Sequence, residues 1–277
     1  MLPAAAQQAV DDLLRRLDRA VPGRVEAFYV VGSACTGAFR VGRSDLDFVA
    51  VVDGELGRGE LARIGAVHLS RWGSALVRDV AVRRRWPLVC NGIYLRSGDL
   101  SRSPLDVTPL AGHIAGRFKV AQRDGLDVNP VTWHMLARHG IAIRGPAVDR
   151  LQIPLDGGQL RSWTLANLNG YWRRWARRAQ RNAAAIPRAL PRRFAAGGVL
   201  GAPRLHYTIA TGAIASKEAA GRYALETFDP RWHALIEDAL AFWREEPALE
   251  PYRRHPSRRN RDAAAFVDCV IEAANRR

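Results

Sequence analysis

Val25-Glu26-Ala27-Phe28-Tyr29-Val30-Val31 runs directly into Gly32-Ser33-Ala34-Cys35-Thr36-Gly37, and Ser44-Asp45-Leu46-Asp47-Phe48-Val49 follows a few residues later. The first seven residues are rich in β-branched and aromatic types, which fit a pleated, half-buried surface, so they read as a buried strand turning sharply at Gly32-Ser33. A second strand is expected over Leu46 to Val52. Side chains alternate along a strand, so Asp45 and Asp47 project from one face. Two hard oxygen ligands at that spacing suit Mg2+, which takes a few carboxylates together with substrate phosphates. Amides exposed at the Gly32-Ser33 turn, where a short helix opens, would cradle phosphate oxygens.

Outward from this segment the pattern is mixed. Leu13, Leu14 and Leu17 fall at helical spacing among arginines, which predicts an amphipathic helix over Asp11 to Ala20, ended by Pro22-Gly23. Leu61, Ile64, Val67 and Leu76 predict a helix between Gly59 and Val77, and Leu88 to Leu95 predicts a third strand. Past Gly112 the texture turns helical. His113 to Leu136 carries no clear period; Leu160 to Ala185 reads as a long polar helix bearing Tyr171, Trp172 and Trp175; Ile186 to Pro203 reads as a connection. Helices are then expected near Arg204 to Thr211, Lys217 to Leu225, Pro230 to Arg244 and Asp262 to Ala274. The expected fold class is therefore α+β: a small mixed sheet flanked by helices over residues 1–112, then an α-helical bundle over residues 113–277.

The chain has 277 residues, 48% hydrophobic and 25% charged, close to the composition of folded globular proteins. No run of some eighteen apolar residues is present to span a bilayer, and Met1 to Gln8 lacks the features of an export signal, so a cytoplasmic protein without a membrane partner is expected. Cys35, Cys90 and Cys269 are too far apart for a zinc site or a disulfide framework and read as reduced structural thiols. The 42 basic residues against 27 acidic ones give +15, yet only Lys119 and Lys217 are lysines. So strong an arginine skew points to coding bias more than to a nucleic-acid surface, and nucleic acid is not the expected partner, despite clusters such as Arg173, Arg174, Arg177, Arg178 and Arg181. Lys217 stands out against that background, because a compact ammonium was kept where arginine is the default cation.

The Gly-Ser turn with Asp45 and Asp47 downstream resembles the nucleotidyltransferase superfamily that includes DNA polymerase beta and the aminoglycoside nucleotidyltransferases. Arg204-Leu205-His206-Tyr207-Thr208-Ile209-Ala210-Thr211-Gly212, with Ser216-Lys217-Glu218-Ala219-Ala220, is similar to the helical domain of the streptomycin and spectinomycin adenylyltransferases, and so is Ala137 to Pro146. The resemblance implies a catalytic domain over 1–112 and a helical domain binding substrate and nucleotide over 113–277. It implies Mg2+ at Asp45 and Asp47, ATP as co-substrate held by Gly32, Ser33, Ser44, Arg204 and Lys217, and a small-molecule hydroxyl as acceptor. A guanidinium gripping phosphate oxygens in a fork, and an ammonium acting as a point charge, are suited to that task.

One position departs from the family pattern. The carboxylate that acts there as general base falls at Asn91, and an amide cannot accept a proton at neutral pH. Asp99 or Asp79 is the candidate substitute; alternatively the chain binds nucleotide and transfers it poorly. Acceptor chemistry departs too, since Pro191-Arg192-Arg193-Phe194-Ala195-Ala196-Gly197 offers arginines where a cationic acceptor wants carboxylates, leaving Glu218 as one acidic candidate. Trp133, His134, Tyr171 and Trp172 could stack on a ring but are expected in the core, as is His113. Monomer and dimer are both open.

Overall fold

The computed structural model describes residues 2–82, 86–181 and 191–277. They form two compact units, residues 1–156 and 157–277.

The first unit opens with α1 (Ala4–Ala20), whose buried Ala6, Val10, Leu13, Leu14 and Leu17 make one apolar stripe. Six strands follow: β1 (Val25–Val31), β2 (Leu46–Val52), β3 (Cys90–Arg96), β4 (Ala111–Ile114), β5 (Arg117–Val120) and β6 (Ile141–Arg144). They form one sheet in the order β5-β4-β3-β2-β1-β6. Only β2 and β3 pair in parallel; the other neighbours are antiparallel. A parallel pair needs a long crossover, supplied by α2 (Arg58–Ala75) and the π-helical stretch Leu76–Val82.

The helical face of the sheet holds an aromatic column. Phe28 stacks on Phe48 at 4.8 Å, Phe48 on His68 of α2 at 5.9 Å, and His68 on His113 of β4 at 4.6 Å. Phe48 lies across Gly92, where an added Cβ would sit 2.4 Å from its ring. His68 shares a 2.7 Å hydrogen bond with the Tyr94 hydroxyl, and the His113 Nδ1 lies 2.8 Å from the Cys90 carbonyl. Burial holds both imidazoles below the usual histidine range, His68 by a wide margin. This agrees with the structural role expected for His113.

After β5 comes α3 (Pro130–His139), capped by Asn129, whose side chain accepts from the Thr132 amide at 3.1 Å. Trp133 is fully buried and donates from Nε1 to the Arg102 carbonyl, and His134 is buried as well, so both are core residues, as expected. Arg144 of β6 reaches Asp18 of α1 with two 2.7 Å bonds and fixes the sheet's outer strand to the first helix.

The boundary expected at residue 112 is thus displaced. Residue 112 lies inside β4, and the segment read as helical after it supplies β4, β5 and β6 as well as α3. Four-residue strands are too short to show a period of two, which is why the sequence did not declare them.

The second unit is helical: α4 (Gly157–Asn167), a π-helical turn Leu168–Trp172, α5 (Arg173–Arg181), α6 (Pro191–Thr211), α7 (Lys217–Thr227), α8 (His233–Trp243) and α9 (Pro256–Asn275). Its core gathers Val199, Leu200, Ile209, Leu235, Ile236, Leu240, Phe266, Val267 and Val270, and Trp172 and Trp175 pack against it. Trp172 is therefore packed, as expected, while Tyr171 is 52% exposed. The end of the long helix at Ala185 and the start of the connection at Ile186 lie outside the described residues. From Pro191 onward the expected connection is a helix that continues past Pro203. A proline removes one backbone bond, and burial of the face carrying Val199, Leu200 and Ile209 outweighs that loss. Arg192 is engaged within the unit: it donates to the carbonyls of Glu246 at 2.7 Å and Pro247 at 3.0 Å. Among the described residues, no helix is long and apolar enough to cross a membrane.

Candidate active site

The site grows from the row in which Val31, Asp47 and Asn91 sit side by side on β1, β2 and β3. Lateral neighbours in a sheet point to the same face, and Asp45, two residues before Asp47, shares it. Buried β1 and β2 hold the row rigid, and both carboxylates are only part-buried at its end.

Gly32 makes room for Asp47. It leaves β1 with φ +73, and a Cβ there would lie 2.5 Å from Asp47 Oδ2. The Asp47 carboxylate therefore rests directly over the bare Cα of the Gly-Ser turn, a placement only glycine permits. A 3₁₀ turn, Gly32–Ala34, opens there, and its backbone is tied down by Cys35 Sγ to the Gly32 carbonyl at 3.1 Å and by the Ala38 amide to the Ser33 carbonyl at 3.1 Å. Burial first, and the charge of Asp47 after it, push the Cys35 thiol up to about 11, so it is an inert structural group, as expected.

Ser44 is buried, and its hydroxyl accepts from the Arg40 amide at 3.0 Å while its own amide donates to the Arg40 carbonyl at 2.8 Å. That pair closes the turn that delivers Asp45.

Asn91 is oriented without ambiguity. The Ala115 amide can only donate, and it lies 3.0 Å from Asn91 Oδ1, so the amide nitrogen must face Asp45 Oδ2 at 3.3 Å. Asn91 is thus a donor that holds a carboxylate. The sequence could not have shown the Ala115 contact, because a backbone amide has no side-chain signature. Behind the row, Arg71 of α2 donates to Cys90 Sγ at 2.9 Å and to Asp12 at 2.8 Å, locking α1 and α2 to β3.

Neither carboxylate considered as a replacement base is suited to the task. Asp99 caps the turn after Arg96, bonded to the Arg96 amide at 3.0 Å. Asn91 and Arg96 are five residues apart, roughly 16 Å along a strand. Asp79 is buried, paired with Arg78 at 3.3 Å, and accepts from the Leu88 amide at 3.5 Å.

Does this constellation fit a metal? The carboxylates of Asp45 and Asp47, two residues apart on one face beside the Gly-Ser turn, are hard oxygen donors suited to Mg2+ completed by substrate oxygens and water. Among the described residues, no group of three or more His, Cys, Asp or Glu side chains could hold a metal ion, so an all-protein cage is not offered.

Arg204 and Lys217 belong to the other unit. Arg204 of α6 donates from Nε to the Ala215 carbonyl at 2.9 Å, two residues before Lys217 opens α7. The two cations expected to act together are therefore tied to one loop. Glu218, raised as an acceptor-binding group, is instead engaged by arginines, with Oε1 3.3 Å from Arg244 and 3.5 Å from Arg222.

Comparisons with known proteins bear on this arrangement. Residues 193–272 match the family model for the C-terminal domain of aminoglycoside adenylyltransferase. No curated protein matches the chain. Among solved structures, the crystal structure of spectinomycin adenyltransferase AAD(9) from Enterococcus faecialis with ATP and spectinomycin matches with a TM-score of 0.63 at 12% identity, covering 96% of this chain and 99% of that chain. At that identity the likeness speaks to the fold. The chain has a nucleotidyltransferase-like fold, and its C-terminal helical region resembles that of the aminoglycoside adenylyltransferases.

Proposed function

We propose that the protein is a nucleotidyltransferase that moves AMP from ATP to a hydroxyl of a small molecule and releases pyrophosphate. The observation that carries this reading is the pairing of Asp45, held by Asn91, with Asp47, whose carboxylate rests over Gly32 of the Gly-Ser turn. The family match over residues 193–272, which include Arg204 and Lys217, supports it.

In this reading Asp45 and Asp47 hold Mg2+, which supplies charge neutralisation to the phosphates when bound. The turn amides at Gly32-Ser33 receive phosphate oxygens, and Ser44 keeps the loop before Asp45 in place. Arg204 and Lys217 offset the negative charge of the departing pyrophosphate. The acceptor oxygen forms a bond to the α-phosphorus as the bond to the β-phosphate oxygen breaks. Asn91 takes no proton; it orients Asp45, and the hydroxyl proton leaves to water. The chemistry is therefore carried by positioning and charge rather than by a protein base, which favours slow transfer. An aminoglycoside-like acceptor is consistent with the family; the solved relative was crystallised with ATP and spectinomycin.

Incubating the protein with ATP, Mg2+ and pools of hydroxyl acceptors, followed by mass spectrometry, tests the reading. A mass gain of one AMP unit identifies donor and acceptor together. Asp45→Ala and Asp47→Ala should each lower transfer about a hundredfold or more. Full activity in either variant would remove the metal pair from the mechanism, and tight ATP binding without pyrophosphate release across a broad acceptor screen would mark a nucleotide-binding relative instead.

A further inference from the structure

Lys217 and Glu218, the first two residues of α7, meet Trp243, the last residue of α8, and Arg244, its cap, in a paired fashion. The Lys217 ammonium lies 4.4 Å from the centroid of the Trp243 ring. Beside it, Arg244 directs Nε and Nη2 at Glu218 Oε1, both at 3.3 Å. Adjacent residues on one helix thus grip adjacent residues on the other, a cation on a ring next to an ion pair.

Trp243 is buried, so its ring is not offered to a ligand. The helix ends are fixed as well. Ser216 caps α7 by accepting from the Ala219 amide at 3.1 Å, and the Arg244 amide closes α8 on the Leu240 carbonyl at 2.9 Å. The loop leading into Lys217 is held by Arg204 through the Ala215 carbonyl.

A lysine side chain carries substantial rotamer entropy, which must be given up when its ammonium settles on a phosphate. An ammonium already resting against an indole face has surrendered part of that freedom, and the ring's attraction for a cation is modest enough to be exchanged for a phosphate oxygen. We propose that Trp243 is a positioning residue: beside the Arg244–Glu218 ion pair, its ring holds Lys217 ready for the nucleotide's phosphates. The proposal rests on the reading of Lys217 as a phosphate-binding residue.

Lys119 and Lys217 are the only lysines in the chain, so the Lys119→Arg protein labelled with ¹³C-lysine gives one ε-methylene signal, that of Lys217. That signal should be displaced upfield by the Trp243 ring, move on addition of Mg-ATP, and return to the free-lysine position in Trp243→Leu. A signal at the free-lysine position in the parent protein overturns the clamp. In calorimetric titrations with Mg-ATP, Trp243→Leu should weaken binding about three- to tenfold, and Trp243→Phe should stay within about twofold of the parent.

In a Lys217→Ala background, Trp243→Leu should add no further loss. Equal losses in both backgrounds would show that the indole acts through packing alone and would overturn the proposal. Parent-like ATP binding by Lys217→Ala would sink the phosphate-binding assignment itself, and the clamp with it, while a ring-shifted signal would still record the Trp243 contact.

Discussion

At the scale of single residues, the site turns on what Gly32 lacks and which way Asn91 points. Any side chain at position 32 would both strain a backbone with φ +73 and press on the Asp47 carboxylate. Gly32→Ala should cost about 1–2 kcal/mol of stability from the left-handed backbone and also reduce Mg2+-dependent transfer. Thermal melts and initial rates check the two effects separately; unchanged transfer would mean that Asp47 does not need its present position. Asn91 stands where the resemblance implies a base, and its amide donates to Asp45 Oδ2. Asn91→Glu should leave ATP affinity within about twofold, measured by calorimetry, and raise the transfer rate about a hundredfold by restoring an acceptor for the proton. A large loss of ATP binding would show that position 91 does not correspond to the family's base. Both residues were legible in the sequence as candidates. The orientation of Asn91 was not, because it depends on the Ala115 amide, 24 positions away and brought near by the pairing of β3 and β4.

At the scale of elements, the packing of α2 against the sheet makes stability depend on pH. His68 and His113 are buried face to face, and desolvation holds both below the ordinary histidine range. In the unfolded chain each titrates near 6.5. Between that value and its depressed folded value, the unfolded chain binds protons that the folded chain refuses. Stability is therefore fully present above about pH 6.5 and is lost as pH falls below it, by up to about 1.4 kcal/mol per pH unit for each imidazole. Denaturant titrations from pH 8 to pH 5 should show this decline, and His113→Phe should flatten it. A slope unchanged by that substitution would assign the acid sensitivity to other groups. The longer elements, α1, β1, β2 and α2, were readable because each is long enough to display its period. The short strands β4, β5 and β6 were not, since four residues cannot distinguish an extended segment from a loop, and only partners across the sheet make them strands.

At the scale of the whole molecule, each unit encloses its own core. One core runs from Leu2 through Ala111 in α1, α2 and the sheet, with Phe118, Ile141 and Ile143 packed against it; the other runs from Leu168 to Ala274 within the helical unit. Fragments covering residues 1–156 and 157–277 should therefore each unfold cooperatively when expressed alone, measured by circular dichroism. Non-cooperative melting of either fragment would show that its core is incomplete. The +15 charge is partly absorbed at this scale, because arginines serve as internal ties: Arg71 to Asp12, Arg144 to Asp18, and Arg192 and Arg259 to the buried Asp238.

The sequence by itself determined the Gly-Ser turn, the two aspartates on one face and the two-part character of the chain. These follow from local preferences: β-branched residues in strands, period two for side chains, and glycine where a backbone must turn. Only the tertiary structure decided that the sheet extends past residue 112, that Asp99 and Asp79 are spent elsewhere, that Glu218 is engaged by arginines, and that Lys217 rests on Trp243. Each of these depends on contacts between residues distant in the chain, and which distant groups meet is set by how the cores pack, which no local pattern encodes.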